Sequence, residues 1–357
     1  MILGFVLPDH LIGGGIDFHD GAAVGAGAMR AVVEDGNVAV GQPLHVVRAE
    51  KHLIAVVVVA GRRLAHAVGG GVAIAPDDLL GLAVDDIDFT EVARVDPVTL
   101  AEESDVAIMV LGGNEKTVRE EYSRTNLDLC GRQEKLLQAV YATGKPVILL
   151  LVDGRVATIN WAERYIPGIV HAWFPGEFMG DAVAQVLFGD YNPGGKLAVT
   201  FPRSVGQIPF AFPFKPGSDS KGFVRVTGTL YPFGYGLSYT TFAYSDLKIE
   251  NPVIGVQGSV KLSCKVKNTG KVAGDEVVQL YLHDEMSSVT TYVKVLRGFE
   301  RIHLEPGEEK VIDFVLTPQE LGLWNKDNHF VVEPGTFAVM VGSSSQDIRL
   351  QGKFEVK

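Results

Sequence analysis

The chain has 357 residues, enough for more than one domain, and 46% of them are hydrophobic, enough to build real cores. Its net charge of −11, with no Lys/Arg block, argues against a nucleic-acid or anionic-membrane partner, since either needs a basic patch. A neutral or small polar substrate fits better.

Met1-Ile-Leu-Gly-Phe-Val-Leu-Pro8 is apolar but has no basic leader and breaks at Pro8-Asp9-His10, so it does not read as a signal peptide. The run Leu53-Ile-Ala-Val-Val-Val-Val-Ala60 is too short for the about 20 apolar residues that cross a bilayer, and no membrane span is expected. Up to about Val95 the chain is rich in Ala, Val, Gly and Asp, lacks Ser, Tyr, Trp and Cys, and has Lys51 as its single lysine. Ordinary domains differ from this. Its apolar runs keep neither a helical nor a strand period, and the Gly13-Gly14-Gly15 and Gly69-Gly70-Gly71 clusters lack the Lys-Ser/Thr of a phosphate loop. Two readings of residues 1–96 stay open: non-native sequence, as from an off-frame or antisense translation of GC-rich DNA, or a genuine, degenerate or poorly ordered domain.

From Asp96 to Arg203 buried apolar runs alternate with amphipathic stretches, the pattern of an α/β fold. Residues 106–111, 147–152 and 169–173 read as parallel strands, because continuous apolar runs imply burial on both faces. A helix is predicted over 133–143, with Leu136, Leu137, Val140 and Tyr141 at helical spacing before Gly144 and Pro146. A second over 181–188 stops at Gly189. Three strand–helix units make a fragment of a sheet, so the rest is expected to be absent or supplied by the unusual N-terminal segment. The two cysteines, Cys130 and Cys264, fall in segments of different character and read as buried free thiols rather than a disulfide.

The stretch from Phe210 to Leu237, rich in Pro, Gly and Phe, reads as an ordered irregular connector. Beyond Phe242 the period becomes two. Val260, Leu262, Cys264 and Val266 alternate with Lys261, Ser263, Lys265 and Lys267, and Ile348, Leu350, Phe354 and Val356 recur near the end. Turns at Asn268-Thr-Gly270, Pro306-Gly307 and Pro334-Gly335 complete the outline of an immunoglobulin-like β-sandwich.

Seven motifs occur in one order: Val118-Arg-Glu-Glu-Tyr-Ser-Arg-Thr125, Trp173-Phe-Pro-Gly176, Val186-Leu-Phe-Gly-Asp-Tyr-Asn-Pro-Gly-Gly-Lys196, Thr200-Phe-Pro-Arg-Ser204, Tyr231-Pro-Phe-Gly-Tyr-Gly-Leu-Ser-Tyr-Thr240, Lys267-Asn-Thr-Gly270 and Leu296-Arg-Gly-Phe-Glu300. Over roughly residues 97–357 the chain thereby resembles the C-terminal half of glycoside hydrolase family 3 β-glucosidases. The resemblance implies that 97–230 is the later part of an α/β sandwich domain, 231–241 a connector and 242–357 a fibronectin type III-like domain. It implies an acid/base glutamate in the α/β domain and an aspartate nucleophile on a (β/α)8-type barrel. No segment here matches the nucleophile motif, so the barrel is expected to be missing from this chain. The family pattern is broken at Cys130, where a proline is usual, at Met179, where a glycine is common, and at Ala198, where a proline often stands.

From local sequence alone, Glu120 and Glu121 read as solvated loop residues paired with Arg119 or Arg124. The resemblance implies instead that Glu120 is the acid/base, with Glu121 as the alternate, because the family's glutamate lies shortly before a Ser-Arg-Thr-type run. Such a group must donate a proton to the leaving oxygen and then, as carboxylate, activate water. Tyr122 and Arg124 are candidate substrate contacts, with loop support as the plainer role of each. Trp173 and Phe174 read as core aromatics at a strand end more readily than as a sugar platform. His171 reads as a core histidine and Asp190 as a capping residue in a turn. No histidine shows metal-ligand spacing, and no metal or organic cofactor is implied.

The expected activity is that of a retaining exo-hydrolase acting on β-linked oligosaccharides or aryl and alkyl β-glycosides, incomplete in this chain alone. The competing expectation is a non-catalytic glycan- or protein-binding module, marked by saturable binding without hydrolysis. Full-length relatives are expected in the periplasm or outside the cell.

Overall fold

The structure is a computed structural model. It describes the backbone of residues 48–49, 52–60, 63–68 and 71–73, and residues 97–113, 117–118, 120–121, 123–208, 212–218 and 228–357. The described chain forms two compact units, one ending at Tyr191 and one beginning at Asn192.

The first unit holds a seven-stranded sheet in the order β4-β3-β2-β5-β6-β7, with β1 paired to β2. The strands are β1 (Arg48–Ala49), β2 (His52–Ala60), β3 (Arg63–Val68), β4 (Gly71–Ala73), β5 (Val106–Gly112), β6 (Val147–Val152) and β7 (Gly168–His171). β2, β5, β6 and β7 run parallel, whereas β3 and β4 are antiparallel additions. Every residue of β5 is buried, the signature of a parallel strand covered on both faces. Helices α1 (Pro97–Glu102), α2 (Gln133–Tyr141), α3 (Asn160–Tyr165) and α4 (Met179–Leu187) lie between and after the parallel strands.

The sequence signals for β5, β6, α2 and α4 correspond to these elements, with ends shifted by a few residues. Two short helices, α1 and α3, carry too few periodic positions to be predicted. The larger difference is β2. Its run was read as lacking a strand period, yet it pairs parallel to β5 from Ile54↔Val106 to Val58↔Val110. An interior parallel strand needs no alternation, so the absence of a period does not argue against it. The sheet is therefore extended by the compositionally unusual segment. The Met1–Pro8 run and the glycines at 13–15 and 69–70 lie outside the described residues.

The second unit is built on a two-sheet sandwich. One sheet has the order β13-β10-β8 and the other β12-β11-β16-β17-β9. The strands are β8 (Phe242–Glu250), β9 (Val253–Ile254), β10 (Val260–Asn268), β11 (Gly274–Asp284), β12 (Val295–Leu304), β13 (Glu309–Leu316), β16 (Gly335–Gly342) and β17 (Ile348–Val356), with a small hairpin of β14 (Leu323–Trp324) and β15 (Phe330–Val331). A four-residue helix, α5 (Pro318–Leu321), opens on a Thr317–Glu320 capping box. The alternation around Val260, Leu262, Cys264 and Val266 faces these residues inward, where they join Leu280, Ile312, Val339 and Phe354 in one core.

Residues 192–241 pack with this sandwich. Asn192 donates to Ala273 O at 2.9 Å and accepts from Tyr239 N at 2.8 Å, and Lys196 pairs with Glu276 at 3.2 Å. Both cysteines are free thiols, Cys264 buried and Cys130 half-buried. Burial pushes the Cys264 thiol up to about 11.

Candidate functional site

The carboxyl ends of β5, β6 and β7 gather three loops, the side of an open parallel sheet on which ligands usually bind. β5 ends at Gly112, whose N–H and C=O are both taken by the buried Gln133 side chain, each at 2.8 Å. That pair pins the start of α2 to the end of β5 and fixes where the next loop begins.

The loop then returns over two glycines. A β-carbon at Gly113 would stand 1.9 Å from Val118 Cγ2 and 2.9 Å from Asp153 Oδ1. One at Gly154 would stand 2.9 Å from Val118 Cγ1 and 2.7 Å from Phe174 Cε2. Only glycine lets Val118 sit this close to both strand ends. Two residues on, Glu120 and Glu121 form an exposed turn, with Glu121 in the left-handed region at φ 67°.

Arg124 lies on the same loop and donates to Asp128 O, while the Asp128 carboxylate accepts from Thr158 Oγ1. Thr158 N donates to Leu127 O at 2.9 Å, and Leu127 and Leu129 are buried. The segment after the glutamates is thus sewn to the chain beyond β6. Tyr122 and Arg119 lie outside the described residues.

Sequence reasoning missed Asp153. It is 3% exposed at the end of β6 and accepts from Arg155 N at 3.0 Å. Burial raises its carboxyl above the usual range, opposed by the Arg155 amide and by the Arg124 and Arg155 guanidiniums. The available signal was an acid directly after an apolar strand and before Gly154. His171 closes the neighbouring strand, 5% exposed, and burial lowers it to about 4, which keeps its ring neutral near pH 7. Its ring lies 4.3 Å from that of Trp173, and Phe174 is 43% exposed. Among the described residues no group of three or more His, Cys, Asp and Glu side chains could hold a metal ion, and no helix is long and apolar enough to cross a membrane.

The chain thus joins a mostly parallel α/β sheet, with an exposed pair of acids on a loop at its carboxyl edge, to a two-sheet β-sandwich. The model for the glycosyl hydrolase family 3 C-terminal domain matches residues 19–239, and a fibronectin type III-like domain matches 276–345. The chain belongs to glycoside hydrolase family 3. It is 47% identical over 266 residues to a β-xylosidase of Formosa agariphila, covering 73% of this chain and 37% of that protein. It is 40% identical over 289 residues to a periplasmic β-glucosidase of Salmonella typhimurium, covering 75% and 38%. Among solved structures, the β-glucosidase EmGH1 of Erythrobacter marinus aligns with a TM-score of 0.70 at 40% identity, over 73% of this chain and 35% of that one. The β-glucosidase of Listeria innocua in complex with glucose aligns with a TM-score of 0.70 at 30% identity, over 76% and 39%. The chain thus spans well under half the length of these relatives.

Proposed function

We propose that this chain is the C-terminal portion of a retaining β-glucosidase-type exo-hydrolase and that Glu120 is its acid/base. Residues 97–230 then form the later part of the α/β sandwich domain, 231–241 the connector and 242–357 the fibronectin-like domain. The supporting observation is the position of Glu120: exposed, on a loop at the carboxyl end of β5, with Val118 seated over Gly113 and Gly154. A proton donor serving a sugar held partly by another domain must be exposed yet fixed in place, and this loop meets both needs.

In the first step Glu120 gives its proton to the glycosidic oxygen while an aspartate on a barrel domain outside this chain attacks the anomeric carbon. In the second, the Glu120 carboxylate takes a proton from water as that water displaces the aspartate. Retention requires the two carboxyl groups to stand about 5–5.5 Å apart across the sugar. Terminal, non-reducing β-linked glucose or xylose is the substrate class, in keeping with the names of the relatives, and the parent acts in the periplasm or outside the cell, as the name of the Salmonella relative suggests.

The test is turnover of aryl β-glucosides by this chain alone and by the chain fused to a family 3 barrel. The chain alone is expected to show negligible turnover. The fusion is expected to be active and to lose about 10²–10⁴-fold with Glu120→Gln, less on substrates whose leaving group needs no proton. Strong activity of the chain alone, abolished by Glu120→Gln, would reveal a nucleophile within it.

A further inference from the structure

The outer face of the five-stranded sheet in the second unit carries a groove of about 430 Å³. Its floor follows from strand alternation. Phe337, Val339 and Val341 of β16 face the core, which turns Ala338 and Met340 outward. Cross-strand pairing puts His283 of β11 and Lys353 of β17 on either side of Ala338, and Gln351 beside Met340. The wall comes from Val293 and Lys294, just ahead of β12 and held by Val293 N donating to Phe214 O at 2.9 Å.

The two lysines of this groove differ. Lys353 is paired with Glu285 at 2.6 Å. Lys294 is half-buried and has no carboxylate within ion-pair distance among the described residues, and burial lowers its ammonium below the usual lysine range. A partly desolvated cation without a counter-charge is unfavourable, and an anionic ligand would relieve it.

We propose that this groove binds a carboxylate-bearing pyranose, a hexuronate at the end of a glycan, with its carboxylate on Lys294 and its C–H face against Ala338 and Met340. The volume exceeds what a bare anion requires and falls in the range of about 300–1,000 Å³ typical of small-molecule sites. The apolar floor suits a sugar ring, and the Gln351 amide and His283 imidazole in the lining offer hydrogen-bond partners for hydroxyls. None of its lining residues belongs to the Glu120 loop, so its occupancy does not depend on the acid/base assignment.

The experiment is a titration of the whole chain with glucuronate, glucose and acetate, followed by amide NMR and calorimetry. Glucuronate is expected to saturate, with shifts at residues 283, 294, 338 and 351–353. Its affinity should fall about tenfold in Lys294→Met, a variant whose circular dichroism and melting match the parent chain. Glucose binding as tightly as glucuronate would overturn the charge argument, and acetate binding as tightly would overturn the sugar argument. An unchanged affinity in Lys294→Met, or no saturation by glucuronate, would overturn the site itself.

Discussion

Val118 rests over Gly154: a β-carbon on that glycine would stand 2.9 Å from Val118 Cγ1. Valine branches at its own β-carbon and has little freedom to swing away. Gly154→Ala should therefore lift the 118–121 loop and displace Glu120. In a barrel fusion, kcat on aryl glucosides is expected to fall about ten- to a hundredfold while the melting temperature changes little, because small displacements of a catalytic group are costly. Unchanged kinetics would show that this seat does not position the glutamate.

Gln133 is the second fixed point of the same loop. Replacing it with leucine leaves Gly112 N–H and C=O buried without their partners, each now bonded at 2.8 Å. Urea unfolding is expected to show a loss of about 2–4 kcal/mol in the first unit.

The pH dependence of the first unit follows from His171. Its folded value of about 4 lies below the ordinary 6.5, so the unfolded chain binds more protons between these limits. Stability from this residue is complete above 6.5 and is lost as pH falls toward 4, about 2 kcal/mol between pH 7 and pH 5. Ring proton shifts measured by NMR should titrate near the lower value, and a midpoint near 6.5 would contradict the burial.

In the second unit, Lys196 and Glu276 are both nearly buried and 3.2 Å apart, with Lys196 Nζ also donating to Gly236 O at 2.8 Å. Burial raises the Glu276 carboxyl, and the Lys196 ammonium opposes the rise. Lys196→Met strands a buried carboxylate and should cost about 3–5 kcal/mol near neutral pH. The loss is expected to shrink at acidic pH, where Glu276 takes a proton, and adding Glu276→Gln should recover much of it.

Much of this architecture was legible from residue order. The continuous apolar run at 106–111 signalled a strand covered on both faces, the helical spacing of Leu136, Leu137, Val140 and Tyr141 signalled α2, and the alternation at 260–266 signalled the sandwich core. These patterns are local, and burial imposes them on the chain directly. The order of seven motifs carried the family, and the proposal for Glu120 rests on that resemblance.

The contacts between distant segments were decided only by the tertiary structure. Residues 52–60 have no period, and their place beside β5 depends on a pairing partner some fifty positions away. Asp153 drew no notice in the sequence, and only its burial beside Gly113 raises its carboxyl. Lys294, without a carboxylate partner among the described residues, becomes notable only once β11, β16 and β17 set His283, Ala338 and Lys353 side by side. Periodicity fixes the face on which a side chain lies, whereas its neighbours, and with them its charge balance, depend on strand order and register.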